Sequence, residues 1–373
     1  MTATPAENRG TFANNFDLLR LLAALQVAVS HSFAWLQVPM PKVADELFRA
    51  LPGVAVFFVI SGFLITRSYI ERKHGLGGYF ARRALRIYPA LWLQYAFVVI
   101  LMWATGGFAL QTVADPRFWW WMGSAAFVGS NFWASVLTAF NPFTWDGLYK
   151  WYPADVLWTL PVEIGFYLLV PLIFSRWLAR RGWVGPVVTL AFVASVWCAY
   201  FAGPLLRDHG NLNSTGMLHS SPGPYLWLFL AGGIAANYWG HLARFFEGRA
   251  AWWLAAGAAA AGVNWLLAGT ISLSYRIPEL LTVPRGLILA GAVISCAFTW
   301  PWISKWMHGV DLSYGLYLFH LPFPFGMYYA GKGGSLWYVA ASMAIAFALA
   351  ALSWFLVERP ALRLKRVLDR RGL

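Results

Sequence analysis

Three ionisable residues, Asp17, Arg20 and His31, fall in the first apolar run of the chain. A charged or titratable group in hydrocarbon is costly and needs a partner or a task. On a helix, Asp17, Arg20, Ala24, Ala28 and His31 lie within about 80° of one another. They form one stripe whose small central residues leave room for a ligand. Arg20 and His31 stand about 16 Å apart along that stripe, at about 1.5 Å of rise per residue. Two readings fit. Asp17 and Arg20 form a helix-end ion pair and His31 a hydrogen bond between helices, or the stripe is reactive. In the second case a desolvated, neutral imidazole accepts a proton from a hydroxyl.

Other residues repeat the pattern. Arg82, Arg83 and Arg86 cluster before a later apolar run, either as topological anchors or as ligands for an anionic group. Glu163 lies one helical turn before Tyr167, and Ser313, Tyr317 and His320 share a face at i, i+4 and i+7. Ser61-Gly62 lacks the other members of a nucleophilic triad at recognisable spacing, and glycine in a membrane helix permits close packing. Glu358 and Arg359 suit a helix-end salt bridge or a site. Arg67 and Arg285 read as cations at the inner ends of their runs, snorkelling to headgroups. Cys198 and Cys296 have no metal-like spacing and read as buried thiols; no metal site is expected.

The elements that must hold these groups follow from composition. Hydrophobic residues make up 60% of the 373 positions and charged residues 12%, too little polar surface for a soluble chain of this size. The 23 tryptophans suit bilayer interfaces. Apolar runs near 16–36, 52–70, 87–105, 155–174, 184–202, 224–238, 251–270, 280–300, 312–329 and 336–357 predict an all-α integral membrane protein of about ten transmembrane helices. The run 118–137 could be an eleventh, although Gly123, Gly129, Ser130 and Asn131 suit an interfacial or re-entrant element better. The first run lacks a small-residue cleavage site and reads as a retained span.

With an inside N-terminus, inner segments hold 18 Lys and Arg and outer loops seven. The positive-inside rule therefore places both termini in the cytoplasm. The net charge of +13 reads as topology and attraction to anionic lipid. Nucleic acid is not expected, because the cations are scattered between spans. The chain divides into a cytoplasmic segment 1–15, one membrane domain 16–357 with an outer aromatic loop at about 106–154, and a basic cytoplasmic tail 358–373. No internal repeat is visible of the kind that builds many transporters.

The motifs, taken in order, resemble the bacterial membrane acyltransferase family 3. They are Phe16-Asp17-Leu18-Leu19-Arg20 with His31 after ten intervening residues; Phe57-Phe58-Val59-Ile60-Ser61-Gly62-Phe63-Leu64-Ile65-Thr66; Phe80-Ala81-Arg82-Arg83 through Arg86-Ile87-Tyr88-Pro89; Trp158-Thr159-Leu160-Pro161-Val162-Glu163 with Phe166-Tyr167; Ser313-Tyr314-Gly315-Leu316-Tyr317-Leu318 with His320; and Glu358-Arg359-Pro360. Thr159 stands where many members have Ser, and Leu18 where Gly is usual. The appended hydrolase-like domain of longer members is not expected here.

The resemblance implies an O-acyltransferase of the bacterial inner membrane. It would move an acyl group, most often acetyl, from cytoplasmic acyl-CoA to a hydroxyl of an envelope glycan or glycoconjugate, with no bound cofactor. Arg82, Arg83 and Arg86 would hold the donor's phosphates, with Arg83 and Arg86 the favoured pair. A pantetheine arm reaches roughly 16 Å, the span from Arg20 to His31. His31, Arg20 and Glu163 would be catalytic, with His31 either deprotonating the acceptor or carrying the acyl group. Asp17, Trp158, Tyr167, Tyr317 and His320 would contact substrate, and Glu163 would orient His31 or bind sugar hydroxyls. The outer-loop tryptophans suit either sugar stacking, with Asp146 or Asp155 as partners, or interfacial anchoring. A multi-span transporter or flippase of a glycan or lipid-linked substrate is the rival reading.

Overall fold

A computed structural model describes residues 14–370 apart from 72–74, 108, 143–147, 149–152, 209–211, 275–278, 301, 304–306 and 308. Among the described residues the regular structure is helical, with no strand. The chain is thus an all-α integral membrane protein. In order, the principal helices are α1 (Phe16–Trp35), α2 (Lys42–Ala50), α3 (Gly53–Ile70), α4 (Leu76–Ala104), α5 (Pro116–Val128), α6 (Asn131–Thr138), α7 (Thr159–Ile173), α8 (Val184–Trp197), α9 (Leu226–Asn237), α10 (Trp239–Phe246), α11 (Ala250–Ala268), α12 (Thr282–Phe298), α13 (Ser313–Phe319), α14 (Pro322–Tyr329), α15 (Leu336–Ser353) and α16 (Arg359–Arg370).

Each of the ten apolar runs is helical, but they are not ten equal crossings. Among the described residues, seven helical segments are long and apolar enough to cross a bilayer. The remaining three runs differ in kind. Helix α9 has 12 residues and α12 has 17, and the ninth run is interrupted between α13 and α14, where Pro322 starts a new helix. A helix apolar on all sides can be a protein core as well as a lipid-facing span. Helix α9 is such a core, with Trp227, Leu228, Phe229 and Leu230 almost wholly buried. It lies against α3 so closely that a Cβ on Gly62 would sit 1.9 Å from the Phe229 carbonyl oxygen, and one on Gly232 would sit 2.1 Å from that of Val59.

The run 118–137 is two short helices, α5 and α6. They are parted at Gly129, whose φ of +78° ends one helix just before Ser130 caps the next. Asn15 seats the start of α1 on the end of α12, its side-chain amide donating to the Thr299 and Trp300 carbonyls. Arg285 does not snorkel. It lies in the first turn of α12, at an outer end by the charge-derived topology rather than an inner one, and its buried guanidinium donates to the Ile271 and Ser272 carbonyls. Cys198 and Cys296 are free and partly buried. The final helix α16 follows a π-helical turn at Trp354–Glu358, in which Glu358 is buried. Residues 1–13 and 371–373 of the expected terminal segments lie outside the described residues, as do Trp145, Asp146, Trp151 and Tyr152 of the outer loop.

Candidate active site

Three adjoining cavities run along the inside of the bundle. The first is lined by Asp17, Arg20, Ser61, Arg83, Arg86, Glu163, Tyr167, Asp311, Trp354 and Leu362 among others. The second shares Arg20, Ser61, Arg86 and Glu163 with it and adds Phe57, Thr159, Ser313, Tyr314 and Tyr317. The third shares Val54 and Tyr317 with the second and adds Gln26, Ser30, His31, Pro52 and Trp158. At the first cavity the start of α1, the end of α3 and the start of α4 are ends that the charge rule puts on the inner side. At the third, the end of α1 and the starts of α3 and α7 are ends that it puts on the outer side.

Arginines dominate the inner cavity, and a carboxylate organises them. Arg86 donates to Asp311 Oδ2 at 2.5 Å and Arg20 donates to the same oxygen at 3.1 Å. Arg20 also pairs with Asp17. The other Asp311 oxygen accepts from the Ser313 amide at 3.1 Å and its hydroxyl at 2.5 Å. Burial alone would raise the Asp311 carboxyl, but Arg86, then Arg20 and the Ser313 donors, hold it well below the usual carboxylate range. Arg83 stands apart from this clamp. It donates to Ser68 Oγ at 2.8 Å and has no carboxylate within ion-pair range among the described residues, and its buried Nε has no partner. Its guanidinium lies 5.9 Å from the Tyr79 and Tyr167 ring centres. Arg82 is half-buried and does not line these cavities.

Glu163 bridges the inner and central cavities and accepts from the Tyr167 hydroxyl at 2.5 Å. Tyr317 borders the central and outer cavities. Its hydroxyl donates to the Val156 carbonyl at 3.1 Å and lies 2.9 Å from the Thr159 hydroxyl. In the outer cavity, His31 Nδ1 lies 2.9 Å from His320 Nε2. His320 is 1% exposed and sits behind His31 rather than on the cavity wall. Trp158 lines that cavity and stacks on His219 with ring centres 4.4 Å apart.

Ala24 and Ala28 do not make the ligand space expected of them. Both are fully buried against Leu316, Ala346 and Ala350, so they let α1 approach α13 and α15 closely. The room lies instead against α3, at Val54, Phe57 and Ser61.

A family of proteins described as "Acyltransferase domain" matches residues 14–357, a range that holds every cavity residue except Leu362. The chain belongs to this acyltransferase family. It is 36% identical over 378 residues, 98% of each chain, to Nodulation protein 10 of Rhizobium leguminosarum bv. viciae. A segment covering 21% of the chain is 44% identical to the O-acetyl transferase of Shigella phage Sf6, spanning 23% of that protein. Half of the chain is 27% identical to the peptidoglycan O-acetyltransferase of Listeria monocytogenes serovar 1/2a, spanning 28% of its length. No solved structure matches.

The acyltransferase motifs divide by task. In Ser61-Gly62 the glycine admits α9, while the serine faces the first two cavities. Thr159 keeps the hydroxyl that a serine would offer and uses it toward Tyr317. The residue that the motifs did not single out is Asp311. Its signal was an acidic residue two positions before Ser313, where a carboxylate commonly accepts the local backbone amide.

Proposed function

We propose that this acyltransferase is an O-acetyltransferase of the bacterial inner membrane, with both termini cytoplasmic. It takes acetyl from acetyl-CoA at the inner cavity and passes it to a hydroxyl of an envelope glycan or glycoconjugate at the outer cavity. The observation that carries this reading is the linked run of cavities, with Arg83 at one end and His31 at the other. The O-acetyl transferases among the relatives support the acetyl group and the hydroxyl acceptor.

Arg83, the cation not committed to a carboxylate, meets the donor's phosphates at the inner face. The pantetheine arm extends past Arg20, Ser61 and Glu163 and brings the thioester toward His31. The acceptor oxygen attacks the thioester carbonyl carbon while His31 takes the hydroxyl proton. The C–S bond breaks, and the departing sulfur receives that proton from His31. The apolar walls at Val54 and Phe57 limit water as a competing acceptor. Trp158 offers a flat face for a sugar ring beside the reacting hydroxyl.

The test uses purified protein in nanodiscs with radiolabelled acetyl-CoA and isolated envelope glycans. Labelled glycan is the expected product, and His31→Ala should reduce its rate by on the order of 100-fold or more. Wild-type rates in that variant would remove His31 from the chemistry. Movement of glycan across the bilayer with no acetylated product would favour a transporter instead.

A further inference from the structure

His31 and His320 are 289 positions apart and meet through one ring nitrogen each, at 2.9 Å. Their planes are inclined by only 16°, with centres 5.2 Å apart. That separation fits two nearly coplanar rings meeting edge to edge through the N···N contact. In this arrangement the N–H of one ring points along the lone pair of the other.

The position of the proton follows from the far side of His320. Its Nδ1 lies 2.9 Å from the Tyr317 carbonyl oxygen and 3.2 Å from that of Leu316. Both neighbours are acceptors only, so Nδ1 carries a proton shared between them. No carboxylate lies within ion-pair range of His320 among the described residues. A second proton would therefore place an uncompensated charge in a site that is 1% exposed. His320 Nε2 is then a lone pair, and His31 Nδ1 must donate to it. The basic nitrogen of His31 is Nε2, on the opposite side of its ring.

We propose that His320 is a positioning residue that fixes His31 as the Nδ1–H tautomer, and so assigns Nε2 as the nitrogen that takes the acceptor's proton. The two backbone carbonyls do the work that a carboxylate does behind many catalytic histidines, without adding a negative charge inside the bundle. When His31 holds the extra proton, its Nδ1–H still donates to the same lone pair, so no regrouping is needed during the step. The interruption between α13 and α14 serves this arrangement, because His320 lies between the two helices, just beyond the last turn that supplies its acceptors. The catalytic part of this proposal rests on His31 being the base; the tautomer itself does not.

The experiment is 15N NMR of histidine-labelled protein in nanodiscs at neutral pH, with the His31 signals assigned by their loss in His31→Gln. The expected result is a protonated Nδ1 and an unprotonated Nε2 on His31. In His320→Gln the side-chain oxygen stands where Nε2 was, so the Nδ1–H form should persist and most activity with it. In His320→Phe the preference should vanish. There kcat should fall by on the order of 100-fold, because the wrong tautomer presents a proton where a lone pair is required, while the donor KM stays within about twofold. A wild-type His31 protonated on Nε2, or a His320→Phe protein whose His31 keeps its tautomer, would overturn the proposal. Full activity in His31→Ala would instead defeat the base assignment, whatever the spectra show.

Discussion

Neutralising the Asp311 carboxylate takes from Arg86 its ion-pair partner among the described residues and leaves Arg20 with Asp17 alone. Asp311→Asn should therefore cost about 2–3 kcal/mol, toward the lower end for a broken buried pair because Arg86 and Arg20 are about a fifth exposed. The check is a lowered melting temperature in detergent. The folded Asp311 carboxyl titrates below its unfolded value, so its contribution is present above about pH 4 and is lost as the pH falls further. The gap in melting temperature between wild type and variant should hold from pH 5 to 8 and narrow below about pH 4. Arg83 should behave in the opposite way. Its side chain donates to a serine and not to an acid, so Arg83→Gln should leave melting unchanged and raise the donor KM about tenfold, equivalent to about 1.4 kcal/mol. Equal losses of stability in Arg83→Gln and Asp311→Asn would place both residues in one structural network.

At the level of helices, the tightest constraint is the crossing of α3 and α9. A Cβ on Gly62 would meet backbone atoms of Phe229, which cannot rotate away. Gly62→Ala should cost at least about 1–3 kcal/mol and reduce the monodisperse fraction in size-exclusion chromatography. Gly123, with open space around it in α5, should tolerate Ala or gain up to about 1 kcal/mol from it. An undisturbed Gly62→Ala protein would mean that the two helices are not held at this distance. The helical class and the placing of Arg20 and His31 at opposite ends of α1 were legible from the sequence, because period, hydropathy and charge bias are local signals. What those signals lack is the partner. The burial of most of α9 could not be told from lipid exposure, since both demand apolar side chains all round. Ala24 and Ala28 mark small faces without saying whether a ligand or α15 fills the space. Asp311 meets its arginines 225 and 291 positions away, and His320 meets His31 across 289. Those pairings exist only in the assembled bundle.

Across the whole molecule, the proposed transfer from a donor soluble on one side to an acceptor on the other would require a route through the bundle that is not an open pore. The three cavities offer such a route, with Arg20, Ser61, Arg86 and Glu163 lining both the inner and the central space. Ser61 is thus a test of the route as well as of its own chemistry. Ser61→Ala removes the hydroxyl and leaves the space, so acetyl transfer should stay within about threefold of wild type, an energy difference of under 1 kcal/mol. Ser61→Trp fills the space while leaving Arg83 in place. Acetyl-CoA should still bind that variant in titration calorimetry with little change in Kd, while turnover falls by on the order of 100-fold because the thioester can no longer reach the outer cavity. If the tryptophan variant keeps full turnover, the acetyl group travels by another path. If Ser61→Ala alone abolishes transfer, the serine takes part in the chemistry and the route needs a covalent station halfway along it.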